Sequence, residues 1–249
     1  MSEETSITAA VLVIGDEILS GRTKDKNIGV IADRLTEIGI DLKEVRIVGD
    51  DVSAIVEAVN ALRHHYTYVF TTGGIGPTHD DITVDCIGKA LALPIEENQS
   101  AVALMRSAYD ARGIELTPTR LRMARMPIGS ELIVTPASGA PGFKIGNLIV
   151  MAGVPSIMQA MLSAATQQLR TGRIMNTVSI VLWLPESEIA ELFAEHQKAY
   201  PDVAMGSYPA FVDGRYRTEL VLRSKNGETL DRAHHELKIK LTTRGLTLA

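Results

Sequence analysis

Apolar residues fall along this chain in two alternating rhythms. Ala9 to Ile14 form an unbroken run rich in β-branched side chains that stops at Gly15, the pattern of a strand buried on both faces. From Asn27 onward, Ile28, Ile31, Leu35 and Ile38 recur at helical spacing, and Gly39 is placed to end that helix in a left-handed conformation. A strand over 42–48 follows, then a helix marked by Val52, Ile55, Val59 and Leu62. Tyr68 to Thr72 reads as a short strand running into TGGIGPTHDD, with a further helix starting near Asp80. Strand and helix alternate three times, which predicts an α/β fold: right-handed crossovers, a mostly parallel sheet and helices on both faces.

The next helix spans Asn98 to Arg112 and is closed by Gly113; Pro118, Pro127, Pro136 and Pro141 then punctuate a region that reads as irregular. Phe143 to Ile145 and Leu148 to Met151 flank Gly146 and Asn147, which suit a tight β-hairpin. Ser156 is placed to cap a helix whose apolar face carries Met158, Met161, Leu162, Ala165 and Leu169, with Gly172 as its end. Beyond Arg173 the order becomes strand (178–184), helix (185–199), strand (203–208), strand (216–222) and helix (230–241), the content of a small α+β layer. A boundary near residue 172 would divide the chain into 1–172 and 173–249, although composition does not shift there and one large domain stays open.

Composition narrows the partners. With 25 basic and 30 acidic side chains the net charge is -5, and no block of either sign offers a surface for nucleic acid or anionic lipid. No stretch approaches the roughly 20 continuous apolar residues of a membrane helix. The start of the chain lacks the basic-then-apolar plan of a signal peptide, and the single Cys86 excludes an internal disulfide framework; both point to the cytoplasm.

In open parallel sheets ligands bind outside the carboxyl ends of the strands, and two segments fit that place. Gly15-Asp16-Glu17 follows the first strand, and Gly73-Gly74-Ile75-Gly76 follows the strand ending at Thr72. Glycines there let the backbone approach a phosphate and aim N–H groups at it, although either loop also works as a tight turn with no ligand. The second loop is neither a Walker motif nor G-x-G-x-x-G, which disfavours a dinucleotide-dependent dehydrogenase. Asp80, Asp81 and Asp85 stand beside it at the expected helix start, where Asp81 and Asp85 would share a face. Oxygen ligands of this kind suit Mg²⁺ with substrate phosphates, and a carboxylate beside a phosphate loop repels the ligand unless a cation bridges them. The plain alternative is that Asp80 caps the helix and Asp81 complements its dipole. Asp16 with Glu17 and Asp50 with Asp51 add acidic pairs at the same edge, and capping is the leading explanation of the last pair. Of six histidines only His79 adjoins this region; Cys86, one turn into its helix, reads as a core filler.

At TGGIGPTHDD, with Gly15-Asp16-Glu17-Ile18-Leu19-Ser20-Gly21 before it, the chain resembles the N-terminal domain of CinA-type (competence/damage-inducible) proteins, part of the wider molybdopterin-binding family. Arg122 to Gly129, Gly139-Ala140-Pro141-Gly142-Phe143, Gly153-Val154-Pro155-Ser156 and Pro201 to Pro209 resemble the family's later segments, so the likeness spans nearly the whole chain. Ile75 stands where the family often has Thr or Leu, and Val154 where it often has Pro. The resemblance implies a three-layer α/β/α domain, usually in homo-oligomers, that binds molybdopterin or an adenine nucleotide; related domains hydrolyse the pyrophosphate of FAD or ADP-ribose with a divalent metal. Carried over by position, the binding residues are Gly73, Gly74, Gly76 and Thr83, with Gly15, Thr72, Gly153 and Ser156 in the adjoining loops. The aspartate is Asp81, with Asp16 or Asp50 as its acidic partner in catalysis, and Glu17, Asp80 and Asp81 are the candidate ligands of Mg²⁺, Mn²⁺ or Co²⁺.

Two functions remain side by side: a metal-dependent pyrophosphatase acting on FAD or ADP-ribose, and a molybdopterin-binding module without turnover that serves cofactor assembly. Four acidic residues at the loops favour hydrolysis, because a pure phosphate binder gains little from them.

Overall fold

The computed structural model describes residues 6–135, 139 and 141–248, and the chain forms two compact units, Met1–Gly172 and Arg173–Ala249. The first unit is built on a six-stranded sheet with the order β2-β1-β3-β8-β7-β6. Its strands are β1 (Thr8–Ile14), β2 (Asp41–Val48), β3 (Tyr68–Thr72), β6 (Glu131–Ile133), β7 (Gly142–Ile145) and β8 (Leu148–Met151); β4 (Ile95–Glu97) and β5 (Arg125–Pro127) pair separately. The strands β2, β1, β3 and β8 are parallel, while β7 and β6 add as antiparallel strands through the hairpin at Gly146. The continuous apolar run of β1 has its cause here: Ala10, Leu12 and Ile14 enter one core, and Ala9, Val11 and Val13 the other.

Helices cover both faces. On one side lie α3 (Val52–His65), α4 (Thr83–Leu91) and α5 (Gln99–Asp110), which bury Ile55, Val59, Ile87 and Met105 against the sheet. On the other lie α2 (Asn27–Glu37) and α7 (Pro155–Thr166), which bury Ile31, Leu35, Met158, Met161 and Leu162. Two single-turn helices, α1 (Asp16–Leu19) and α6 (Pro118–Leu121), complete the unit. Gly39, at φ 73°, ends α2 in the left-handed conformation that its position predicts.

Register aligns the strand ends. Val13 lies opposite Ile47 on one side and Thr72 on the other, and Thr72 opposite Met151. The carboxyl ends of four parallel strands therefore finish at one level, and the segments after Ile14, Val48, Thr72 and Met151 emerge together.

Several local readings are corrected. The helix expected near Asp80 begins at Thr83, behind Ile82 as N-cap with no side-chain cap, because Asp81 is drawn back into its own loop by hydrogen bonds described below. Asp81 and Asp85 share no helix face, and Asp85 pairs instead with Arg125 at 2.6 Å. Ser156 does not cap α7: Pro155 opens that helix behind Val154, and the helix ends at Thr166 rather than Gly172. The proline-punctuated region holds more order than its pattern suggests, namely α6, β5 and β6, pieces too short to show a period. Pro136 and Ala140 lie outside the described residues.

The second unit is an antiparallel sheet of order β10-β11-β9, formed by β9 (Asn176–Leu182), β10 (Ala204–Val212) and β11 (Arg215–Ser224), with helices α8 (Ala190–Ala199) and α9 (Gly227–Thr243). Ile180, Leu182, Leu220 and Leu222 pack on Leu192, Phe193, Leu237 and Leu241. The helix expected from Pro185 starts instead as a 3₁₀ turn over Glu186–Glu188. The hairpin β10–β11 is longer than its apolar pattern indicates, and it closes through Asp213 and Gly214, both at positive φ.

His196 sits fully buried in this core. Its Nε2–H donates to the Ala233 carbonyl at 2.8 Å, and its Nδ1 accepts from the Lys240 ammonium at 3.1 Å. Burial pushes its pKa down, so the folded chain holds it neutral while the unfolded chain takes up a proton near the ordinary value of about 6.5. Stability carried by this residue is complete above that pH and is lost as pH falls below it. Thermal unfolding from pH 7.5 to 5 is expected to show a decline in melting temperature that is shallower in His196→Met; identical slopes would refute the assignment.

Candidate functional site

The glycine-rich loop owes its shape to two contacts that no side chain could share. Gly73 has φ 107°, and a methyl group there would stand 2.1 Å from the Ile14 carbonyl oxygen; Gly74 has φ 66°, and a methyl group would stand 2.2 Å from Thr83 Oγ1. The Thr83 hydroxyl donates to the Gly73 carbonyl at 3.0 Å, and the Thr83 N–H donates to the Gly74 carbonyl at 3.0 Å, stitching the loop to the first turn of α4. Asp81 closes it from the far side. One carboxylate oxygen accepts the Gly76 N–H at 2.7 Å; the other accepts the Thr78 N–H at 2.8 Å and the Thr78 hydroxyl. Both oxygens of Asp81 thus hold the loop's own backbone in place.

Beside the loop opens a cleft of about 490 Å³ lined by Asp16, Glu17, Ser20, Arg22, Asp50, His79, Asp80 and Ile82. It joins the segments after β1, β2 and β3. Asp16 and Asp50 lock two of them reciprocally: the Asp16 N–H donates to Asp50 Oδ2 at 3.0 Å, and the Asp50 N–H to Asp16 Oδ1 at 3.3 Å. The pair Asp50-Asp51 divides its labour. Asp50 faces the cleft, whereas Asp51 caps α3 by accepting the Ala54 N–H at 2.9 Å, and hydrogen bonds from the Ser53 hydroxyl and from that N–H lower its pKa.

Of the residues singled out from the sequence, Asp16, Glu17, Asp50 and Asp80 meet in this cleft. Thr72, Gly73, Gly74, Gly76, Thr83 and Asp81 build the adjoining loop, Gly15 precedes Asp16 at the end of β1, and Ser156 lies exposed in the first turn of α7. Among the described residues, no three His, Cys, Asp or Glu side chains are gathered closely enough to hold a metal ion unaided. Cys86 is buried, and burial pushes its thiol up to about 11, which leaves it protonated and unreactive.

Two residues escaped the sequence reading. Arg22 brings a cation to the cleft, but an arginine in a polar loop has no periodic signal. Asn27, read only as the start of a helix, is 3% exposed, and its Nδ2 donates to Thr72 Oγ1 at 2.9 Å and to the Gly153 carbonyl at 2.8 Å. Asp25, one residue before the N-cap Lys26, accepts the Asn27 and Ile28 N–H groups, and that spacing could have drawn notice to Asn27.

A three-layer α/β/α unit with glycine loops at the carboxyl edge of a mostly parallel sheet defines a class of ligand-binding domain. Residues 10–171 match the family described as "Probable molybdopterin binding domain", and residues 174–247 match "FAD synthase, middle domain". The chain belongs to the molybdopterin-binding family, and its first unit is of the CinA type. That unit is similar to a solved structure of the protein CinA, of unknown function, from Thermoplasma acidophilum: TM-score 0.59, 33% identity, 65% of this chain and 97% of that one covered. A protein of Caldivirga maquilingensis is 39% identical over 193 residues, 75% of either chain. A "Probable FAD synthase" of Caenorhabditis elegans is 28% identical over 248 residues, covering 90% of this chain; the chain spans 48% of that protein's length.

Proposed function

We propose that this protein is a metal-dependent pyrophosphatase acting on a nucleotide cofactor such as FAD or ADP-ribose. The observation that supports this reading is the cleft in which Asp16, Glu17, Asp50 and Asp80 stand beside the glycine-rich loop at the carboxyl ends of the parallel strands. The match of 174–247 to a FAD synthase segment, and the likeness to the worm protein, favour a flavin or adenine dinucleotide as the substrate class.

Diphosphate hydrolysis needs the phosphates' charge neutralised and a water held in line. The backbone N–H groups of Gly74 and Ile75, between the Gly73 N–H bound to Met151 and the Gly76 N–H bound to Asp81, and the Arg22 guanidinium serve the first need. Asp50, oriented by the Asp16 N–H, serves the second by accepting the proton of the attacking water. Asp81 acts through the loop it holds. The carboxylates of Asp16, Glu17, Asp50 and Asp80 are hard oxygen donors that would hold Mg²⁺, Mn²⁺ or Co²⁺, and Mg²⁺ takes one or two carboxylates together with substrate phosphates rather than a closed protein cage. A cation held there supplies Lewis-acid neutralisation at the diphosphate.

The partner in this reading is a small molecule rather than nucleic acid or membrane; among the described residues no helix is long and apolar enough to cross a bilayer. A lone buried Cys86 suits a reducing cytoplasm, and the family resemblance favours a homo-oligomer. A second reading, a molybdopterin-binding module without turnover, draws on the description of the family and on the engagement of both Asp81 oxygens within the loop. Incubation of the purified protein with FAD and ADP-ribose, in Mg²⁺, Mn²⁺, Co²⁺ or EDTA, separates the two. Metal-dependent release of AMP is expected; silence with every metal from a folded protein would leave the pterin-binding module.

A further inference from the structure

We propose that Asn27 is the positioning residue of the ligand edge: one buried amide that ties the end of β3 to the segment after β8 and so sets the spacing between the Gly73–Gly76 loop and the segment at Gly153. Its Nδ2 reaches Thr72 and Gly153, 45 and 126 residues away along the chain. Those partners frame the loop, since Thr72 leads directly into Gly73 and a methyl group at Gly153 would lie 3.3 Å from the Gly73 Cα. The two backbones approach within contact distance at the point where the amide joins them.

The amide orientation follows from chemistry. The Gly153 carbonyl can only accept, so the atom facing it is the nitrogen, and Oδ1 is turned away. That oxygen is buried and has no hydrogen-bond partner among the described residues. A buried acceptor without a donor is a standing desolvation cost, which a residue kept for stability alone would not carry. Leucine or valine would fill the space without an orphaned oxygen, but neither could hold two acceptors from separate loops. Liabilities of this sort collect where geometry serves a ligand.

The inference rests on the reading that the Gly73–Gly76 loop takes a phosphate-bearing ligand, and a readout without ligand tests it apart from that reading. Asn27→Ser removes the tie from one side, and Thr72→Val removes it from the other while keeping the shape of the threonine. Amide hydrogen exchange over 72–76 and 152–154 is expected to speed up tenfold or more in both variants, with the interior of β1 unchanged and the melting temperature close to wild type. The KM for metal-dependent release of AMP from ADP-ribose is expected to rise at least tenfold. Folded variants whose loop exchange stays within twofold of wild type would overturn the proposal. Failure of both variants to fold would overturn it too, because Asn27 would then be a keystone of the fold. If wild type releases no AMP from ADP-ribose with any metal while loop exchange responds in the variants, the pyrophosphatase reading falls and the tie stands.

Discussion

Asp81→Asn is expected to cut metal-dependent release of AMP from ADP-ribose by about 10²–10³-fold, the cost of losing an oriented donor in a charge-stabilising site. The change is isosteric, yet it turns one oxygen into an NH₂ group. Whichever way the new amide turns, that group faces a donor: the Gly76 N–H in one orientation, or the Thr78 N–H and hydroxyl in the other. One side of the loop loses its acceptor, and the backbone no longer holds the Gly74 and Ile75 N–H groups in a fixed array. The loop lies at the edge of the sheet and the cores on either face do not include Asp81, so the melting temperature is expected to change little. AMP release and thermal unfolding, measured on the same preparation, check both halves. Full activity in a folded variant would remove Asp81 from the working site. Lost activity with an intact ligand-free loop by amide exchange would return it to direct contact with the substrate or its cation.

Gly73→Ala is expected to destabilise the first unit by about 2–6 kcal/mol, the sum of a left-handed backbone strain and an overpacking term. The offending neighbour is the main-chain carbonyl of Ile14, so no side chain can swing aside. Ile14 closes β1, whose register with β3 sets where the loops emerge, and relief requires the strand ends to part. Urea unfolding with unchanged slope and a lowered midpoint would give the loss; a loss below about 1 kcal/mol would show that the loop relaxes without moving β1. Ligand binding should fall with it, because parting the strand ends displaces the Gly74 and Ile75 N–H groups that follow Gly73.

Much of the architecture was already written in short-range pattern. The β-branched run of Ala9 to Ile14 specifies a strand buried twice over, and the helical spacing from Ile28 to Ile38 with Gly39 behind it specifies α2 and its end. Together with the glycine-rich segment after Thr72, these place the loop-bearing carboxyl ends of parallel strands at one edge, where ligands bind in sheets of this kind. Such features depend on neighbours one to four residues apart, so the linear pattern carries them.

The fine structure of the site depends on contacts between distant segments. Asp80 and Asp81 look like the opening of a helix, but Asp81 gains more from three donors in its own loop, and α4 waits until Thr83. Asp50 and Asp51 are adjacent and alike, yet one meets Asp16 across the cleft while the other caps α3. Asn27 looks like an ordinary polar residue at a helix start and becomes a buried tie only when β3 and β8 are parallel neighbours. Residue type and local spacing set which elements form and where a ligand can bind; the pairing of strands far apart in sequence sets which carboxylates and amides face one another there, because a hydrogen bond is decided within a few tenths of an ångström.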